Sequence, residues 1–363
     1  MSSGDGARRG RGALSNPTGR FEPTRREGFA DGWAQADPAL ADDGELPRLP
    51  TVVTTEHARS IISRNDSPDV PFDQSANPYR GCEHGCVYCF ARPSHGYLGL
   101  SSGLDFETHI VSKPDAARLL RAELSRPTYR CQVLAMGTNT DPYQPVERDL
   151  GLTRAILEVC LEFAQPVSIV TKSAAITRDV DLLAALAARN LASVYLSITT
   201  LDAGLAATLE PRAARPHRRL ATLRQLADAG VPVGVLSSPM IPALNDHELE
   251  AILEAARDHG ARAAGYTLLR LPHDVKVLFT EWLHAHVPDR AERVLARLRE
   301  AYGGALYDSA VGVRGVGRGP VADLINQRFA LACRRLGLGD ERVALDTTQF
   351  RPPPRPGQLP LFR

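Results

Sequence analysis

From about residue 75 the chain alternates short apolar runs with stretches whose apolar residues recur every three to four positions. The first pattern reads as strand and the second as amphipathic helix. Runs at 132–137, 166–171, 192–199, 231–237 and 263–271 predict five strands, and 76–80 predicts an earlier one. Between them, residues 153–163 carry Ile156, Val159, Cys160 and Phe163 on one helical stripe. Asp179 is placed to cap a helix ending at Arg189, with Asn190 after it. Residues 216–229 predict a helix stopped by Gly230 and Pro232. Asn245 and Glu248 have the spacing of a capping box. A weaker helix covers 288–302, and Pro320 opens a last one through Leu336.

Strand starts recur about every thirty to forty residues, the length of a βα unit. Six such units make a partial barrel, and the remaining length does not hold the eight of a complete one. The expected fold class is therefore α/β, a partial (β/α)6 TIM-like barrel. Residues 1–50 are polar, rich in Gly, Pro and Arg, and read as a disordered, solvated tail. Its Arg8, Arg9, Arg11, Arg20, Arg25 and Arg26 are free in that reading to meet phosphates. The barrel spans 51–302, a helical extension 303–345, and a proline-rich tail 346–363 ends in Gln-Leu-Pro-Leu-Phe. Gly315, Gly317 and Gly319 follow no clear strand, so a connector is favoured there over a phosphate loop.

Composition narrows the class. With 43% hydrophobic and 23% charged residues in 363, most of the chain is globular. No apolar run is long enough to cross a membrane, and no apolar leader opens the chain, so a cytoplasmic protein is expected. A net charge of +1 excludes a uniformly basic coat but leaves room for a local basic groove. Only Lys113, Lys172 and Lys276 are lysines, so a lysine at a strand end stands out.

The six cysteines are unevenly spread. Cys82, Cys86 and Cys89 lie within eight residues, and Cys131, Cys160 and Cys333 are scattered. Disulfide rings over two or three residues are strained, so the cluster points to metal in a reducing compartment. The stretch is Asn77-Pro-Tyr-Arg-Gly-Cys82-Glu-His-Gly-Cys86-Val-Tyr-Cys89-Phe, a C-x3-C-x2-C spacing. Iron–sulfur cubanes are usually held by four cysteines, so a three-cysteine loop leaves one iron open, as catalysis requires. Gly81 and Gly85 let the loop wrap such a cluster. Structural zinc is the alternative, with His84 or His95 as fourth ligand, but the spacing lacks the paired C-x2-C halves.

This motif, with Tyr88 just before the last cysteine, resembles the radical S-adenosylmethionine (SAM) superfamily, and the likeness covers about residues 70–300. It implies a partial barrel of the radical SAM type and a 4Fe–4S cluster on Cys82, Cys86 and Cys89. The unique iron would chelate SAM. An external electron donor would drive cleavage to a 5′-deoxyadenosyl radical that abstracts a substrate hydrogen. Within the superfamily the chain is most similar to the group related to spore photoproduct lyase. The stretches that carry this are 77–90, 136–145, 171–173, 196–199 and 239–242. Those lyases place a hydrogen-donating cysteine after the second strand. Here that place holds Gly137 or Thr138, a departure from thymine-lesion reversal.

Ligands of parallel α/β folds gather at the C-terminal ends of strands. Thr138, Asn139 and Asp141 follow the second strand there and offer hydroxyl, amide and carboxylate groups to the cofactor, although Asp141 also suits a simple Asp-Pro turn. The resemblance assigns Lys172 to the cofactor's carboxylate. Ser197 and Thr199 suit ribose hydroxyls, and Glu210 suits the cofactor's ammonium or ribose. Arg212, Arg215, Arg218, Arg219 and Arg224 form either a nucleic-acid patch or a solvated helix face. Arg270 is placed to reach substrate. Cys131, Cys160 and Cys333 read as core residues.

The expected substrate is modified or damaged nucleic acid. The alternatives are a small-molecule or peptide substrate, or a cluster-holding redox sensor without turnover. Gln358 to Phe362 resembles the short peptide by which bacterial DNA-metabolism proteins dock on the sliding clamp; otherwise it folds back on the domain.

Overall fold

The computed structural model describes residues 10–19, 21–22, 49–339 and 343–353. In chain order the strands are β1 (Val52–Thr55), β2 (Ile62–Arg64), β3 (Gln74–Ala76), β4 (Tyr79–Arg80), β5 (His109–Ser112), β6 (Leu134–Met136), β7 (Val167–Thr171), β8 (Ala192–Ser197), β9 (Val233–Met240) and β10 (Ala263–Leu268). Six of them, β3, β6, β7, β8, β9 and β10, lie side by side and parallel. This is the expected partial barrel, with β2 added antiparallel on β3.

The central strands are buried on both faces. Every residue of β8 is buried, and β7 is buried except at Val170. Helices on one side and core on the other account for such near-continuous apolar runs. Helix Leu152–Phe163 buries Leu152, Ile156, Val159, Cys160 and Phe163, the spacing of one helical stripe. Each such side chain taken fully from water contributes about 1.5–3 kcal/mol.

The structure departs from the sequence reading at several points. Residues 76–80 are not one strand. Ala76 ends β3, and Tyr79 and Arg80 turn away to pair with β5 in a separate three-stranded sheet. Pro78 between them has no N–H to continue a ladder. Asp179 does not cap its helix, which is Val180–Ala187. Its carboxylate instead takes Arg154, Arg178 and the Tyr143 hydroxyl. Asn245 and Glu248 do not form a capping box either. Asn245 ties the carbonyls of Thr199 and Pro239, at 2.7 and 3.0 Å. Glu248 accepts from Thr200 and from the Leu201 backbone, both at 2.6 Å. Long-range partners outcompeted local caps in both cases.

The extension after the barrel is built in. Gly315 accepts from the Leu268 backbone N–H at 2.8 Å, so the glycine-rich run lies along the end of β10. Helix Pro320–Leu336 matches its expected bounds. Gly339 then pairs with Ala263 at the outer edge of β10. Residues 343–353 cross to the far strands, where Phe350 packs on Tyr129 and Phe163. Gln358 to Phe362 lies outside the described residues.

Residues 11–15 also depart from the solvated tail expected for 1–50. Arg11, Gly12, Ala13, Leu14 and Ser15 are buried. Arg8, Arg9, Arg20, Arg25 and Arg26 lie outside the described residues.

Candidate active site

The cysteine loop leaves β4 and turns over the C-terminal ends of the barrel strands. Gly81 and Gly85 take φ of +76° and +67°, which L side chains rarely adopt. A Cβ on Gly81 would also meet His95, Phe106 and His109 atoms at 2.8–3.0 Å. The Cys82 N–H donates to the Phe106 carbonyl at 2.9 Å, and the Val87 N–H to the Leu209 carbonyl at 3.1 Å.

A buried arginine holds the loop from beneath. Arg92 is fully buried and donates to the Cys86 carbonyl at 2.9 Å, the Gly85 carbonyl at 3.3 Å and the Glu107 carboxylate at 2.5 Å. Glu107 is fully buried too, and accepts the Gly12 and Ala13 N–H groups at 2.9 and 2.8 Å. Arg11 donates to the Glu107 carbonyl at 2.7 Å. Residues 11–15 thus form a strap under the loop. A Cβ on Gly12 would lie 1.8 Å from the Gly85 carbonyl oxygen, so only glycine fits there.

Cys82, Cys86 and Cys89 open on one cavity of about 110 Å³. Thr138, Asn139, Lys172 and Ser197 line it as well, so the structure brings four of the six expected cofactor residues to the thiols. Asn77 holds two of them, with its amide 3.1 Å from the Thr138 hydroxyl and its carbonyl 3.2 Å from the Asn139 N–H. Among the described residues no three His, Cys, Asp or Glu side chains converge as around one metal ion. Thiolates that each bond a different iron of one cluster need not converge. His84 lines the same cavity and meets Asp141 through Nδ1 at 3.3 Å, while His95 meets the His109 carbonyl through Nε2 at 2.9 Å and its Nδ1 has no hydrogen-bond partner. All six cysteines are free thiols. Burial pushes the Cys86 thiol up to about 12, so its thiolate form needs a bound cation. This donor set fits an iron–sulfur cluster.

Glu210 lies behind the cavity wall rather than on it. One oxygen accepts the Tyr88 hydroxyl and, at 2.6 Å, the Thr199 hydroxyl; the other pairs with Arg219. Burial alone would raise this carboxyl, but Arg219, Lys172 and its hydrogen bonds outweigh that and hold it at about 2. It therefore acts through Tyr88. Arg219 is buried in this network, so it is not part of a basic surface. Arg212 pairs with Glu83, while Arg215 and Arg224 donate to backbone carbonyls. Of the five arginines only Arg219 is withdrawn into the fold; Arg212 is half-buried, and Arg215, Arg218 and Arg224 stay exposed.

Asp141 is likewise saturated. It takes the Thr171 hydroxyl at 2.7 Å, the Lys172 N–H at 2.8 Å and the Tyr143 N–H at 2.9 Å, and it meets His84. It locks the β6 loop, the end of β7 and the cysteine loop together. Cys160 and Cys333 are buried in the core, and Cys131 donates to Gln165 before β6 begins. Sequence reading did not find Arg92, Glu107 and the strap. An arginine six residues after Cys86 carries no local signal of burial.

Two cations ride on the rings that flank Cys89. Lys172 Nζ sits 5.7 Å from the Tyr88 ring centroid, and Arg270 Cζ sits 4.7 Å from that of Phe90. A second cavity of about 130 Å³ adjoins the first and is lined by Cys86, Cys89, Tyr88, Phe90, Lys172 and Arg270, among others.

The comparisons with known proteins agree with this geometry. The model of the Radical SAM superfamily matches residues 76–256. The "Uncharacterized protein Rv2578c" of Mycobacterium tuberculosis is 33% identical over 292 residues, covering 74% of this chain and 85% of that one. The "Uncharacterized protein MJ0683" of Methanocaldococcus jannaschii is 29% identical over 172 residues, covering 47% of this chain and 62% of that one. Among solved structures, a spore photoproduct lyase mutant with bound AdoMet and dinucleoside spore photoproduct superposes with a TM-score of 0.58 at 14% identity. That match covers 79% of this chain and 80% of the lyase. A likeness at that identity speaks for the fold. Family motif, parallel sheet and cysteine cavity agree: the chain is an enzyme and belongs to the radical SAM superfamily.

Proposed function

We propose that this enzyme holds a 4Fe–4S cluster on Cys82, Cys86 and Cys89, with S-adenosylmethionine beside it, and acts on modified or damaged nucleic acid. The observation that carries the reading is the cavity shared by the three thiols and the strand-end groups Thr138, Asn139, Lys172 and Ser197. When bound, cluster and cofactor together supply one-electron reductive cleavage and a 5′-deoxyadenosyl radical able to abstract hydrogen. The chain's own part is binding and enclosure. The Lys172 ammonium neutralises a carboxylate as a point charge. Thr138, Asn139 and Ser197 present hydroxyl and amide groups to the amino group and ribose. Tyr88, fixed by Glu210 and Thr199, lines the adjoining cavity beside Cys86 and Cys89.

Support for nucleic acid comes from spore photoproduct lyase, whose structures share this fold and include one with a dinucleoside bound. Neither Gly137 nor Thr138 supplies the thiol that those lyases place after the second strand, a departure from thymine-lesion reversal. A Cβ on Gly137 would lie 1.9 Å from the Val170 carbonyl oxygen, so no thiol-bearing side chain fits there. Two further parts of the reading are a reducing, cytoplasmic setting and an external one-electron donor.

The test is 5′-deoxyadenosine formation by anaerobically reconstituted protein with a strong reductant, beside Cys86→Ala. Formation by wild type alone supports radical chemistry. A fully loaded wild type that forms none, with or without substrates, returns the redox-sensor reading. Salt-dependent crosslinking to single-stranded oligonucleotides tests the substrate class. A wild type that forms 5′-deoxyadenosine but does not crosslink points to a small molecule or peptide.

A further inference from the structure

Arg270 stands at the mouth of the second cavity with a donor that nothing satisfies. Its Nε is buried and has no hydrogen-bond partner. No carboxylate pairs with the guanidinium among the described residues. Two fully buried arginines of the fold have carboxylate partners, Arg92 with Glu107 and Arg219 with Glu210. A buried donor without an acceptor costs free energy until one arrives. The half-buried Arg270 brings such a donor, its Nε, to the lining of the second cavity.

Its position suits a ligand of definite chemistry. The guanidinium lies over the ring of Phe90, a residue that is 46% exposed. The rest of that ring is open for stacking. A guanidinium fork matches an oxyanion such as phosphate, and an exposed aromatic ring takes a base. Lys172 stands at the other side of Cys89, over Tyr88, where the proposed reading already gives it the cofactor's carboxylate. Lys172 and Arg270 both line the second cavity, and Lys172 alone of the two also lines the first, so two anions have two receptors.

We propose that Arg270 and Phe90 form a substrate subsite that takes a phosphate group and its neighbouring base. This rests on the reading of the site as a radical SAM centre and names how its substrate is held.

The experiment uses the full chain, anaerobically reconstituted and saturated with S-adenosylmethionine. Inorganic pyrophosphate is the first probe. Wild type binds it, Arg270→Gln binds it at least tenfold more weakly, and S-adenosylmethionine affinity is the same in both. Arg270→Lys retains part of the pyrophosphate affinity, because charge remains and the fork is lost. Equal pyrophosphate binding by wild type and Arg270→Gln overturns the subsite. So does a fall in S-adenosylmethionine affinity, which would give Arg270 to the cofactor. The second probe is a single-stranded oligonucleotide beside its uncharged methylphosphonate form. Wild type prefers the charged strand, and Arg270→Gln loses that preference together with about 0.7 of the log–log salt slope. Phe90→Ala weakens both forms equally. If pyrophosphate binding depends on Arg270 but neither strand binds, the anion subsite stands and the nucleic-acid reading falls.

Discussion

Arg92 and Glu107 form a fully buried ion pair at 2.5 Å directly beneath the cysteine loop. Both ends are saturated: the arginine by loop carbonyls, the glutamate by N–H groups of the N-terminal strap. Breaking such a pair from one side leaves a buried charge, at about 3–5 kcal/mol. Glu107→Gln and Arg92→Met are each expected to lower stability by about that much. The double replacement Arg92→Met with Glu107→Gln is expected to cost less than the sum of the two. Denaturant titrations of the four proteins check this, and simple additivity would refute the coupling.

The strap gives a second prediction. Gly12→Ala places a methyl where the Gly85 carbonyl oxygen lies. Overpacking of this kind costs about 1–3 kcal/mol, and here it falls on the loop. The variant is expected to keep barrel helicity by circular dichroism but to lose iron and sulfide faster under a chelator. Unchanged iron retention would show that the strap is only an ornament of the fold.

Gly137 and Thr138 separate cleanly. Gly137→Cys meets the Val170 carbonyl and is expected to be poorly folded. Thr138→Cys faces the cavity and is expected to fold and to be alkylated in the cluster-free protein. Equal folding yields for the two would contradict the packing at Gly137.

The Glu210 carboxyl sits at about 2 in the folded chain against an ordinary 4.5. Its ionised form is bound more tightly by the native state, so it stabilises the fold above about pH 5 and that contribution is lost as pH falls toward 2. Glu210→Gln should flatten this acid limb. An unchanged limb in the variant would assign acid unfolding to other carboxylates.

Much of the barrel was legible because its strands are buried on both faces. Expected runs at 166–171, 192–199 and 263–271 became Val167–Thr171, Ala192–Ser197 and Ala263–Leu268. The cysteine triplet was legible because its spacing is local. What escaped was every feature made by distant partners. Asn245 looks like a helix cap until Thr199 and Pro239 arrive beside it. Arg219 looks like one more surface arginine until Glu210 folds over it. The strap is a polar, glycine-rich segment by composition, and only the carboxylate of Glu107, more than ninety positions on, gives its backbone a place. Helix Val275–His286 was missed as well, and it buries Phe279 and Trp282.

The crossing made by residues 343–353 gives the molecule a front and a back. The Arg351 N–H donates to the Phe163 carbonyl at 3.0 Å, at the end of a helix just before β7 begins. This is the end of the barrel opposite the cysteine cavity. Whatever is attached beyond residue 353 starts from the rear.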